Sequence, residues 1–318
     1  FQLRNYFYDN PEFGIKKIED SINKFPNEIN LYILLAKLFY SKYNNKQKYL
    51  SILLSVNETQ NKNIDVLILI AEYYYLERDF EKSKAYYDES LTLIEEDNNI
   101  EGYVKFQIGC IHLSMNKLEV AENYFLKAKE LLPKDDLVSI TLGLFLTKCE
   151  KYEVAEEIFE TLDIEYWEFI SLSQPHYLSY QYVFVETKIP FNYEDSIIIL
   201  EKINADKNKR LAGKVALLKA IFWENIGNYE NQIIELQLVA NVFNYQYLVE
   251  NTFSAFSNWL SLIQEDKVAV TKFISLLHSF IARKNFKDYF IENYLDEFIE
   301  FIFEKGLYDS LFSLISFF

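Results

Sequence analysis

The sequence has 318 residues, of which half are apolar and 17% are aromatic, and its formal net charge is −16. Seven Gly and five Pro are too few for a sandwich or barrel that turns about every ten residues, so an all-α fold is predicted. A surface this acidic repels phosphate, which disfavours nucleic acid as a partner of this region, and no basic run or long apolar span indicates membrane binding.

The two cysteines, Cys110 and Cys149, lie 39 residues apart without CxxC spacing. This pattern supports neither a disulfide framework nor a thiolate zinc site, and it favours a reducing, cytoplasmic compartment. Because the sequence opens on Phe1 within a patterned stretch, "FQLRNYFYDN", we expect it to be part of a longer chain.

In chain order, the first predicted element is the helix of "FGIKKIEDSINKFPNE", which Pro26 ends. A helix pair follows in "LAKLFYSKYNNKQKYLSILLSV", with Ala36 in its first helix. The next pair, "IAEYYYLERDFEKSKAYYDESL", repeats this pattern with Ala71 in the same register. Each pair is predicted to consist of two helices of about a dozen residues joined by a short turn.

The spacing at which this pattern recurs is clearest in the next two helix pairs. Gly143 follows Gly109 by 34 residues and Ala155 follows Ala121 by 34 residues, which identifies an internal repeat. Small residues let two helix backbones approach closely, and an aromatic residue four positions after the small one, such as Phe125, fills the space on the same face. These positions are predicted to be where one helix presses on its neighbours.

The repeat becomes irregular after residue 170. An insertion, "SLSQPHY", precedes "YQYVFVETKIPFNYEDSIIILEKI", which fits a helix pair only with Phe184 at a small position. A better pair follows in "ALLKAIFWENIGNYENQIIELQLV", and the tail is amphipathic helix with Ala255 in register. We expect an N-terminal array over 1–170, with the best repeats at 29–169, and a degenerate array with capping helices over 171–318. The insertion is predicted to form a flexible joint.

The pattern resembles the tetratricopeptide repeat family, which is built from 34-residue helix–turn–helix units with small residues at fixed positions. The resemblance implies an α-solenoid of about eight to nine units forming a right-handed superhelix. It also implies that the concave face, formed by first-helix positions, binds peptides or proteins. Carried over by register, that face comprises Lys37, Tyr40, Glu72, Tyr75, Phe106, Thr147, Lys148, Gln181, Lys188, Glu224, Asn225 and Trp259. An alternative is that these side chains pack against one another.

No nucleotide-binding, metalloprotease or hydrolase motif is present in the sequence. His112 lies at a helix-packing position and is predicted to be core, His176 lies in the insertion and is expected to be a bystander, and His278 has apolar neighbours. None has a partner at metal-ligand spacing. We therefore expect no catalytic residue, cofactor or metal.

Two functions are considered further, because no set of residues can be assigned to a third possibility, an enzyme built on helical repeats. The first is a non-catalytic module that binds a basic or hydrophobic peptide or protein on its concave face. The alternative is the sensory domain of a peptide-pheromone-responsive transcriptional regulator of a low-GC bacterium or phage, a likeness of composition and architecture. The apolar end, "SLFSLISFF", is expected to fold back onto the array or to form a homodimer contact.

Overall fold

The computed structural model describes residues 10–162, 173–177, 184–205, 208–243, 246–263 and 267–304. The prediction of an all-α helical repeat is confirmed, with one short hairpin as a local exception. The helices before the hairpin are α1 Pro11–Lys24, α2 Ile29–Tyr43, α3 Lys46–Thr59, α4 Ile64–Leu76, α5 Phe80–Leu91, α6 Asn98–Ser114, α7 Leu118–Leu131, α8 Asp136–Lys148 and α9 Tyr152–Glu160. The strands β1 Ser173–Tyr177 and β2 Phe184–Lys188 follow, and then α10 Tyr193–Leu200, α11 Lys209–Ile226, α12 Tyr229–Val242, α13 Gln246–Leu262, α14 Lys267–Ile281, α15 Lys284–Asn293 and α16 Leu295–Glu304.

The chain divides by its internal contacts into two compact units. The first unit comprises residues 1–138 and 172–188, and the second comprises 139–171 and 189–318. The boundary predicted at 170/171 was drawn where the repeat becomes irregular. The two units are instead defined by contacts between residues, so the two divisions need not coincide.

Within the first unit, the helices form the predicted pairs α2/α3, α4/α5 and α6/α7. The turn of each pair holds one residue in the left-handed region, namely Asn44, Arg78 and Asn116, with φ of 48°, 61° and 57°. Side chains then cap the second helix of two pairs: Asn45 accepts from the Lys48 amide and Asp79 accepts from the Lys82 amide. These caps satisfy backbone donors that a helix start leaves unpaired, which fixes where each second helix begins.

The core of the α6/α7 pair explains the small residues of the repeat. Ala121, Phe125 and Ala128 are fully buried. A Cβ atom added to Gly109 would lie 2.7 Å from Cδ1 of Phe125, so the ring rests directly on the α6 backbone. The spacing observed in the sequence therefore marks a close approach of two helices, as predicted.

The second unit repeats this packing at two places. A Cβ atom on Gly143 would lie 2.5 Å from Cε1 of Phe159, and one on Gly213 would lie 2.4 Å from Cε2 of Phe243. In α12, Gln232 occupies a position that the repeat reserves for a small residue and is nonetheless 2% exposed. The tail is helical as predicted, with Ala255 buried.

The last four described helices pack mainly through aromatic rings. The ring centroid of Phe253 lies 5.6 Å from that of Phe290 and 5.4 Å from that of Tyr294. Phe256 lies 5.1 Å from Phe273. Large rings thus replace the small-residue contacts of the regular repeats.

The prediction of a helix around Phe184 is wrong. Strands β1 and β2 pair antiparallel there, with Ser173 opposite Lys188 and Tyr177 opposite Phe184. Val185 and Thr187 are β-branched and suit a strand, and Pro190 keeps the residue before it out of helical geometry. The second helix expected from this stretch is confirmed as α10.

Several predictions concern residues outside those described. They are the start at Phe1, the residue Gln181, and the end "SLFSLISFF". The number of eight to nine units stays a prediction for the same reason. Only residues 173–177 of the insertion are described, and they form β1.

Candidate functional site

The candidate site lies in the first unit, on its first helices α2, α4 and α6. We define the first-helix face as the side of these helices that carries the predicted binding positions. Its members are Lys37 and Tyr40 on α2, Glu72 and Tyr75 on α4, and Phe106, Cys110 and Ser114 on α6.

Glu72 is the polar centre of the first-helix face. The hydroxyl of Tyr103 on α6 donates to Oε1 of Glu72, and Nε2 of Gln107 donates to the Tyr103 hydroxyl at 3.3 Å. Lys37 attracts the carboxylate from α2. Electrostatic attraction between α2 and α4 and hydrogen bonds between α4 and α6 therefore link polar groups of three successive first helices.

The environment of Glu72 makes its charge costly. The side chain is half-buried, and burial raises the pKa of the Glu72 carboxyl to about 7, against the lowering effects of the Tyr103 hydrogen bond and the Lys37 charge. Burial disfavours the ionised form because protein solvates a charge less well than water does. Near neutral pH, the carboxyl is therefore present in both protonation states.

Two tyrosines extend this face. Tyr40 is 37% exposed, and its ring centroid lies 5.2 Å from that of Tyr49. Tyr75 is half-buried beside Cys110 and Ser114, and burial raises its pKa while a hydrogen bond with Ser114 opposes the shift. Both residues offer an aromatic surface with a polar hydroxyl.

Phe106 and Cys110 form the floor rather than the surface of this face. Phe106 is 1% exposed and Cys110 is 2% exposed. The Phe106 ring lies 5.7 Å from Phe125, inside the α6/α7 packing layer. The repeat register gives the direction of a side chain but not the depth of packing above it, so Phe106 was placed too close to the surface.

In the second unit, the predicted residues are spread over several environments. Thr147 is fully buried and donates to the Gly143 carbonyl at 2.8 Å. Lys148 is exposed, with Nζ 5.7 Å from the Phe191 ring centroid. Glu224 and Asn225 are exposed near the end of α11, whereas Trp259 is 6% exposed. Only Lys148, Glu224 and Asn225 thus offer accessible polar groups.

Lys188 lies at the end of β2, so the helical register that placed it on the concave face does not apply. Gln181 lies outside the described residues.

Two open grooves lie away from Glu72. One, of about 460 Å³, lies against α1, α2 and α3 and includes Tyr32 and Lys48. The other, of about 580 Å³, is in the second unit and includes Tyr229, Trp259 and Leu262. Both have mixed polar and apolar linings, and Glu72 is not among the residues that line them.

Sequence reasoning missed Tyr103 and Gln107. Tyr103 is at the second position of its repeat, which the resemblance already assigns to the inner surface, so applying the register at every position would have found it. No sequence signal indicates Gln107, because its place in the site depends on its hydrogen bond to Tyr103.

The prediction for His112 is confirmed. It is buried and stacked on Tyr124, with ring centroids 5.5 Å apart, and burial is the main cause of its lowered pKa. Within the described ranges, no group of three or more His, Cys, Asp or Glu side chains is arranged to hold a metal ion.

A family model for the tetratricopeptide repeat matches residues 64–97 and 103–135, which are the pairs α4/α5 and α6/α7. These two helix pairs match the tetratricopeptide repeat. Repeats of this family form protein–protein interaction modules, and the fold is generally a non-catalytic scaffold. In the part of this repeat protein that the structure describes, no helix has both the length and the apolar character needed to cross a membrane.

Solved structures of other repeat proteins resemble this chain only distantly. The C-terminal part of a repeat protein from Cytophaga hutchinsonii shares 14% identity, with 86% of this chain and 98% of that chain covered and a TM-score of 0.48. A repeat protein from Parabacteroides merdae shares 16% identity, with coverage of 80% and 96% and a TM-score of 0.44. PilF of Pseudomonas aeruginosa shares 13% identity, with 76% of this chain and 89% of that chain covered and a TM-score of 0.45.

These likenesses are too low to support any conclusion about function. No curated protein matches the sequence significantly. The pheromone-receptor alternative gains no support from the comparisons and stays a hypothesis.

Proposed function

We propose that this protein binds an extended peptide, or an unfolded segment of a partner protein, along the first-helix face of its first unit. The observation that supports this most directly is the row formed by Lys37, Tyr40, Glu72 and Tyr75, drawn from two neighbouring pairs and joined to a third through Tyr103. These side chains keep accessible surface above a buried apolar floor.

This arrangement suits an extended ligand for two reasons. Aromatic rings such as Tyr40 and Tyr75 provide contact area with little loss of conformational freedom, and polar groups between them fix the register of the chain that binds. In addition, the row runs across helices of successive repeats, so a peptide of several residues can contact more than one of them.

A thermal-shift screen with short peptides tests the proposal. A ligand that binds only the folded state raises the melting temperature, by an amount that grows with its concentration. We expect at least one peptide to stabilise the protein at micromolar concentration and to lose this effect in the Tyr75→Ala variant.

Tyr86→Ala provides the matched control. Tyr86 is also half-buried, but it lies on the second helix α5 and stacks on Tyr74 at 5.8 Å. Each variant is compared with its own melting temperature without peptide, which removes its intrinsic stability change. Equal loss of peptide stabilisation in both variants would count against the first-helix face, and no stabilisation of the wild-type protein by any peptide would reject the proposal.

A further inference from the structure

We propose that Glu72 binds one cationic group of the peptide, a lysine ammonium or an arginine guanidinium, and this inference rests on the function proposed above.

The carboxylate of Glu72 has unused capacity to accept hydrogen bonds. Its Oε1 accepts from Tyr103, and no other hydrogen-bond donor to Glu72 is present among the described residues. An ionised carboxylate can accept about four hydrogen bonds. An incoming ammonium or guanidinium group would fill this capacity with charge-assisted bonds, which are stronger than neutral ones.

Tyrosine rings from neighbouring helices border the same position. Glu72 is close enough to the phenols of Tyr49, Tyr87 and Tyr103 for its charge to raise the pKa of each. Tyr40 contacts Tyr49 and is the most accessible ring of this group. Tyrosine faces attract cations, and the apolar stem of lysine or arginine packs well against them.

The charge of the chain agrees with this assignment. The formal net charge is −16, which favours the approach of a basic peptide over an acidic one. Lys37 on α2 compensates part of the charge of this carboxylate. It does not remove the burial effect, because the net shift of the Glu72 pKa is upward.

Binding should therefore depend on pH. The charged and titratable groups that face Glu72 are Lys37 on α2, Tyr49 on α3, Tyr87 on α5 and Tyr103 on α6. Burial raises the pKa of each of the three phenols well above its ordinary value, so they stay neutral between pH 6 and 8 while Glu72 titrates. With a pKa of about 7, its ionised fraction rises about tenfold over this interval, and affinity for a cationic group should rise by a similar factor.

Selection from a random decapeptide library by affinity and mass spectrometry tests the inference. We expect peptides retained by the wild-type protein to be enriched in Lys or Arg, and Glu72→Gln to abolish this enrichment. Glutamine keeps the shape and an oxygen that can accept from Tyr103, so the fold is expected to persist. Glu130→Gln is the control, since Glu130 is an exposed acidic residue on the second helix α7.

A second measurement uses one selected peptide and its copy with norleucine in place of lysine. We expect the replacement to weaken binding to the wild-type protein about tenfold and to leave binding to Glu72→Gln nearly unchanged, a coupling that identifies the pair directly. If Glu72→Gln does not fold, the affinities of the two peptides for the wild-type protein at pH 6 and at pH 8 still test whether Glu72 binds the lysine.

Retained peptides without Lys or Arg enrichment, or equal affinity for the lysine and norleucine peptides, would overturn the role of Glu72 while leaving peptide binding intact. Failure of the wild-type protein to retain any peptide would overturn the proposed function itself, and this inference with it.

Discussion

At the scale of single residues, the repeat is held together by one recurrent contact between a glycine and a ring. Phe125 lies against Gly109, and Phe159 lies against Gly143. The glycines allow this because they have no Cβ, although glycine is otherwise unfavourable within a helix. The benefit is a helix separation that a larger residue would not permit.

We predict that Gly109→Ala lowers the free energy of unfolding. Alanine gains about 1 kcal/mol in helix propensity. Its Cβ would, however, lie 2.7 Å from two atoms of the buried Phe125 ring, and overpacking a core costs about 1–3 kcal/mol or more. The net loss should be about 1 kcal/mol, measurable by chemical denaturation. In a Phe125→Leu background the same change should cost less, and an equal cost there would contradict the contact.

Glu72 gives a second prediction at this scale. Its folded pKa of about 7 lies above the usual carboxyl value, so its contribution to stability is fully present below the unfolded pKa and is lost as pH rises toward 7. Glu72→Gln removes this loss. We therefore expect the unfolding free energy of the variant, relative to wild type, to increase by roughly 1–2 kcal/mol between pH 5 and pH 8.

Denaturation curves at the two pH values test this prediction, with Glu130→Gln as the control that should show no such trend. A relative stability of Glu72→Gln that does not change with pH would show that the carboxyl is not held in a protonated form near neutrality.

At the scale of the elements, one buried lysine caps the C-terminal end of a helix in the second unit. Lys214 on α11 is 3% exposed and donates through Nζ to the carbonyls of Glu160 at 2.5 Å and Leu162 at 2.7 Å. These carbonyls lie at the end of α9, where backbone acceptors lack helical partners. The positive charge also suits the negative end of the helix dipole.

We predict that Lys214→Met destabilises the second unit by about 1–3 kcal/mol, because it leaves the buried Leu162 carbonyl and the part-buried Glu160 carbonyl without their donor. Lys209→Met on the same helix is the control, since Lys209 is exposed. Thermal denaturation of both variants measures the effect. Similar melting temperatures for the two variants would contradict the capping role.

The helix pairs were predictable from the sequence, whereas the hairpin and the depth of the site were not. Local sequence is enough to infer the packing roles of Gly109, Ala121 and Phe125, because their spacing follows directly from helix geometry. The β1/β2 hairpin depends on pairing between Ser173–Tyr177 and Phe184–Lys188, which is a contact between separate segments that helical periodicity does not reveal.

The candidate site shows the same limit. Register predicted the helix that carries Glu72 and Tyr75, but not the hydrogen bond from Tyr103 or the burial of Phe106 and Trp259. Burial depends on how closely neighbouring helices approach, and many distant residues together set that distance.

At the scale of the whole molecule, the division into two units predicts separate unfolding transitions. Repeat proteins are stabilised mainly by contacts between neighbours, so a local change need not affect the whole array. The three tryptophans, Trp167, Trp223 and Trp259, all fall within the residue ranges of the second unit. Tryptophan fluorescence therefore reports on that unit, whereas far-ultraviolet circular dichroism reports on helices of both.

We predict that Gly109→Ala shifts the urea transition followed by circular dichroism to lower concentration and leaves the tryptophan transition in place. A shift of both signals together would show that the two units unfold as one.

Binding of the partner is proposed to take place on the first helices of the first unit. Hydrogen exchange with mass spectrometry, in the presence and absence of a peptide selected from the library, tests it most directly. We expect the added protection to be concentrated in α2, α4 and α6. Protection confined to the second helices α3, α5 and α7, or to the second unit, would contradict it.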